Sequence, residues 1–230
     1  MGISLVRFCV FLFLLLFVVG CGDGPHPRLG SLMGTQISQH QQSDLVWPQV
    51  KRIGLVVHSE TTGSGAAPPI SGPFLETLGR RTEEFLIQRC LVSTVVPITF
   101  PSSPQHAQIR EELIARGQAH GLSHLLLVVL SSRESSGPVT LGEERMMTQM
   151  SGTSVENMAL AEVALLRLGD YAVTFNLPGA ATETLEYLDA PIGEGQPTRQ
   201  QSLEILRAQA GQQALDRALE RIDLLCQKGK

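Results

Sequence analysis

The chain has 230 residues, 18 lysines and arginines against 22 aspartates and glutamates, and a formal net charge of −4. That balance excludes the broad basic face that nucleic-acid binding needs. Its length allows a domain with a sizeable core.

Phe8 to Val19 is almost wholly apolar, with Arg7 the only charge before it. A membrane-spanning helix needs about 20 apolar residues, and this run is shorter and ends in small residues, as a signal-peptide core does. Val18-Val19-Gly20-Cys21 then reads as a lipobox. Gly20 is the small residue that lipoprotein signal cleavage requires, and Cys21 is the expected acylation site. Two or three acyl chains fix a protein to a bilayer where one holds only marginally. Loss of residues 1–20 removes Arg7 and takes the formal charge from −4 to −5. Gly22 directly after the cysteine points, by likeness to known sorting patterns, to the outer membrane. The expected location is thus membrane-anchored and facing the periplasm.

Residues 22–44 are rich in Gly, Pro, Ser, Gln and His and show no steady period, so residues 21–44 read as a lipidated cysteine and flexible tether. A tether of that length has a typical end-to-end distance of roughly 25–30 Å. Residues 45–230 read as a single α/β domain.

Arg52 to His58 is a short run of branched apolar residues and predicts a buried strand. Pro73 suits the first turn of a helix, and Phe74, Leu75, Leu78, Thr82, Phe85 and Leu86 follow at helical spacing. Leu91 to Val96 predicts a second strand, which Pro97 assigns to a sheet edge because proline lacks an amide donor. Ser103-Pro104 predicts a helix start, and Ile109, Leu113 and Ile114 its apolar side, with Gly121 ending it. His124 to Leu130 is the most apolar strand and is expected at the centre. Right-handed crossovers then give a βαβαβ parallel core in the order 2-1-3.

Residues 132–157, with Met146, Met147 and Met150, read as a long polar insert. Met158–Leu168 and Tyr171–Leu177 predict a hairpin about Gly169-Asp170, with a weaker strand at Thr182–Leu188. Thr198 and Gln201 fit a capping box. The long C-terminal helix it opens has a buried stripe of Leu203, Leu206, Ala210, Ala214, Ala218, Ile222 and Leu225, with Gly211 and the alanines allowing a close approach to the sheet. The fold class is a mixed α/β sheet, parallel first and antiparallel later.

This order of elements resembles a superfamily of bacterial envelope lipoproteins. It includes the curli secretion lipoprotein, the Pel polysaccharide export lipoprotein and the lipoprotein activators of penicillin-binding proteins, and the amino-terminal domain of the TolB translocation protein is similar in layout. Arg52–Val57 is like the family's opening K-R-I-A-V strand. Ala119–Val128 is like its G-x-x-L-G-A-D helix-to-strand segment, with Ser123-His124 in place of Ala-Asp. Leu165–Val173 resembles its hairpin, with a shortened turn. The resemblance implies a non-catalytic, protein-binding role in envelope assembly, secretion or export, with envelope proteins as partners and homo-oligomerisation as one form of contact. Pore formation by membrane-crossing hairpins, known in curli-type members, is disfavoured here by Glu143, Glu144 and Arg145 and the absence of sustained alternation.

Of four cysteines, Cys9 leaves with the signal and Cys21 is lipidated, leaving Cys90 and Cys226 as either a disulfide or two separate buried thiols. His120 and His124 stand four apart, but Gly121 breaks the helix that would align them on a metal, so no metal site is expected. Gly63-Ser64-Gly65 lacks the remainder of any phosphate-binding motif, and no cofactor is expected. One enzyme-like or ligand-binding alternative is a crevice at the carboxyl edge of the parallel strands, formed by His58, Ser59, Glu60, Arg133 and Glu134. Adjacent strand residues point to opposite faces, which separates His58 from Ser59, and no nucleophile elbow occurs. No catalytic residue is assigned.

Overall fold

The computed structural model describes residues 25, 27–33, 45–62, 65–101, 106–141, 150–188 and 197–229. In chain order the elements are α1 (Leu29–Met33), β1 (Arg52–Glu60), α2 (Gly72–Arg89), β2 (Thr94–Pro97), α3 (His106–Ala119), β3 (His124–Leu141), β4 (Met150–Arg167), β5 (Val173–Leu188) and α4 (Arg199–Lys228). The five strands form one mixed sheet ordered β2-β1-β3-β4-β5. β1 runs parallel to both β2 and β3, while β3–β4 and β4–β5 are antiparallel. The fold class and the 2-1-3 core are therefore those expected from the alternation of apolar runs and helix signals.

β3 explains why this sheet is covered on both sides. Leu125 to Leu130 are six consecutive apolar residues, and successive side chains of a strand point to opposite faces. All six are buried. Leu126, Val128 and Leu130 join Leu78 and Leu86 of α2 and the Ala210–Leu225 stripe of α4 on the front face. Leu125, Leu127 and Val129 join Ile109 and Leu113 of α3 and the three apolar residues of α1 on the back face.

Pro97 lies on an edge strand, as its missing donor requires, although β2 begins at Thr94 rather than Leu91. Leu91 adopts a left-handed backbone (φ 58°), which interrupts extended structure after α2. Gly121 follows α3 with φ 63°; residues 102–105, with the expected helix cap, lie outside the described residues. The capping box of α4 is present, with Gln201 N–H donating to Thr198 Oγ1 at 3.2 Å and Thr198 N–H donating to Gln201 Oε1 at 2.8 Å.

Three expectations are corrected. The segment 132–157 is not an insert: β3 continues to Leu141, β4 starts at Met150, and the two pair residue by residue from Thr140–Ser151 back to Ser132–Ala159. Their Ser, Thr and Gly residues satisfy backbone donors in the ladder without apolar alternation, so the sequence carries no period-two signal there. Met146 and Met147 lie outside the described residues. The hairpin after β4 is also not a two-residue turn. The β4–β5 pairs end at Leu166–Val173 after a register shift at Leu165/Leu166, and Arg167 N–H donates to Ala172 O at 2.9 Å, which leaves Leu168 to Tyr171 in the turn. The positive φ falls on Tyr171 (59°), and the weaker expected strand is simply the continuation of β5. The third correction concerns the tether: residues 29–33 are a helix whose Leu29, Leu32 and Met33 are buried in the body.

Candidate functional site

The carboxyl edge of β1 and β3 does not gather the expected crevice residues. His58 and Glu60 are two apart on β1 and share the back face, with His58 Nε2 3.5 Å from Glu60 Oε2. The imidazole stacks on Phe100, with ring centroids 3.6 Å apart and planes 9° from parallel. Glu60 Oε1 also accepts the Thr62 N–H at 2.8 Å. Ser59 points the other way, its Oγ accepting the Ile70 N–H at 3.2 Å. Histidine and serine therefore stand on opposite faces and cannot exchange a proton. Arg133 lies under the turn at Gly65, where an added Cβ would come within 3.2 Å of its Nε. Glu134 faces α4 instead, paired with Arg207 and contacted by Asn157 Nδ2 at 3.4 Å. Gly63 and Ser64 lie outside the described residues.

Burial pushes the His58 imidazole below its ordinary value, outweighing the raising effect of Glu60. Burial also lowers His124, aided by Arg167 and opposed by Asp170. For Glu60, burial acts to raise the carboxyl, but the Thr62 donors and His58 together bring it below its usual range. A histidine with a depressed folded-state value resists a proton that the unfolded chain accepts near about pH 6.5. Its contribution is therefore fully present above that pH and is lost as the pH falls. The urea midpoint is expected to drop between about pH 7 and pH 5, and to drop less in a His58→Gln/His124→Gln variant. An unaltered slope in that variant would assign the dependence to other groups.

His124 Nδ1 sits 2.9 Å from Ser123 Oγ, and His120 is exposed just beyond α3. Among the described residues no group of three or more His, Cys, Asp or Glu could hold a metal ion. No helix among them is long and apolar enough to cross a membrane. Gly20 and Cys21 lie outside the described residues. Cys90, at the end of α2, and Cys226, near the end of α4, are brought together with Cα atoms 4.9 Å apart and joined through sulfur.

The most unusual polar group is Glu162, which sequence reasoning missed. It is 1% exposed, at the middle of β4 on the back face. Its Oε2 accepts the backbone N–H of Arg28 at 2.5 Å and of Leu29 at 2.9 Å, and its Oε1 accepts Asn176 Nδ2 at 3.2 Å. A buried carboxylate is costly unless donors surround it, and the strap 28–33 supplies two of the three here. A signal was visible: Glu162 is the lone charge in the run Met158 to Leu166.

The strap also packs closely. Leu29, Leu32 and Met33 meet Val56, Leu113 and Leu127 with a cavity of only about 10 Å³ left between them. Burying three such side chains yields about 5–9 kcal/mol, and two hydrogen bonds to a carboxylate about 3–6 kcal/mol. Ordering six residues costs about 6–12 kcal/mol. Docking is thus a near balance in which the Glu162 bonds decide the sign.

No family model and no curated protein matches the chain. Solved structures of similar layout include a homolog of neuraminyllactose-binding hemagglutinin from Helicobacter pylori, with 9% identity, a TM-score of 0.42, and coverage of 84% of this chain and 98% of that one. Rare lipoprotein B from Shewanella oneidensis is similar at 16% identity and a TM-score of 0.28, covering 74% and 92% of the two chains. The PelC dodecamer from Paraburkholderia phytofirmans is similar at 13% identity and a TM-score of 0.29, also covering 74% and 92%. The neighbours thus include bacterial lipoproteins, at similarities too low to assign this chain a family.

Proposed function

We propose that the chain is a bacterial lipoprotein, acylated at Cys21 and facing the periplasm, whose α/β body is a non-catalytic protein-binding component of envelope assembly, secretion or export. The lipobox Val18-Val19-Gly20-Cys21 at the end of a short apolar run carries this reading. The bridge between Cys90 and Cys226 supports it, since structural disulfides persist in oxidising compartments such as the periplasm. The separation of His58 from Ser59, each already engaged with another group, supports a binding role over hydrolysis. Labelled palmitate is expected to enter the parent chain and not the Cys21→Ser variant, which should leave the membrane fraction. Equal fractionation of the two forms would overturn the anchor, and crosslinked capture from envelopes would identify the bound proteins.

A further inference from the structure

The strap lies only a short way along the chain from Cys21, and this has a geometric consequence. An unanchored stretch from Cys21 to Asp44 could extend to about 80 Å, at roughly 3.3–3.6 Å per residue. The structure instead pins the chain at Arg28 and Leu29, through Glu162, onto the back face. Six residues separate Cys21 from Arg28, and the seven steps between them reach at most about 25 Å. We propose that the docked strap makes the anchor an orienting device: the back face, carrying α1 and α3, is the side the body presents to the bilayer, leaving the α2–α4 face turned away. This rests on attachment at the amino-terminal end of the chain, as in the lipoprotein reading.

The near balance of strap docking makes the orientation releasable by local changes. Glu162→Gln loses the charge on both backbone bonds while keeping one acceptor. Leu29→Ser/Leu32→Ser removes the buried anchors. Undocking lengthens the tether, and the body then turns freely.

The test uses the chain purified from the membranes of expressing cells and reconstituted in vesicles of phosphatidylethanolamine and phosphatidylglycerol containing an acceptor-labelled lipid. A donor dye is placed at Thr182, exposed on the back side of β5, or at Glu220, exposed on α4. Energy transfer from position 182 is expected to be severalfold greater than from position 220, with the difference lost in Leu29→Ser/Leu32→Ser. Trypsin reports docking separately. Leu29 N–H is bound and Leu29 buried in the parent, so cleavage of Arg28–Leu29 should be slow, and about tenfold faster in Glu162→Gln. That milder variant, with circular dichroism to confirm folding, keeps the test decisive if the double serine chain does not fold. Equal transfer from the two positions in the parent, rapid cleavage of its Arg28–Leu29 bond, or a difference that survives strap release would each overturn the proposal. Mass analysis of the amino-terminal peptide separates this from the lipoprotein reading. A chain still carrying residues 1–20 would fail that reading yet still report orientation, whereas a chain recovered free of membranes would fail both.

Discussion

Gly179→Ala is expected to lower the stability of the domain by about 3 kcal/mol or more, a drop of roughly 10 °C in melting temperature. Gly179 lies on β5 where α4 crosses the sheet, and a Cβ there would sit 2.1 Å from Ala214 O and 2.5 Å from Ala218 N. Those are backbone atoms of a 30-residue helix and cannot step aside as a side-chain tip can. Ala214 and Ala218 are wholly buried against the strand. The methyl group must therefore lift α4 from the sheet and loosen the front core on both sides of the contact. Gly211→Ala is the matched control. Its Cβ would meet only Ile70 Cδ1, at 2.9 Å, and alanine favours a helix by about 1 kcal/mol over glycine. Thermal melts of the two variants should move far apart; similar small shifts would show that α4 is less closely seated on β5 than described.

The second large effect is expected from the cysteines. Cys90 and Cys226 are 136 residues apart, and joining them ties the end of α2 to the end of α4. In the chain-entropy account a closed loop of that length stabilises by about 5 kcal/mol, through restriction of the unfolded chain. Cys90→Ala/Cys226→Ala should accordingly melt roughly 10–20 °C lower. The parent should approach that value in reductant, and alkylation without reduction should label neither cysteine. Two labelled thiols in the unreduced parent would remove the bridge from the account. The two helices also share the Arg81–Asp216 ion pair, at 2.7 Å. That pair is exposed and contributes little, so the loss of the bridge should dominate.

Much of the architecture is legible in local pattern. The run His124–Leu130 announces a strand buried on both faces, Pro97 an edge, and Thr198 with Gln201 a helix start, because each depends on neighbours within a few residues. The disulfide was an open alternative until the fold placed α2 and α4 side by side. The distal halves of β3 and β4 were illegible for a different reason. Their Ser, Thr and Gly residues are held by ladder bonds to one another, and only the partner strand explains why they are extended.

What the sequence by itself determined is the parallel core and the capped terminal helix, both written in short-range patterns of polarity and size. The tertiary structure alone decided that residues 28–33 belong to the body, since the strap's two deciding bonds come from a carboxylate more than 130 positions away. It likewise decided that Glu134 turns to Arg207 of α4 rather than to the crevice, and that Gly179 is the seat of α4. These depend on which faces meet, and a linear pattern records a residue's own preference but not the group that folding brings opposite it.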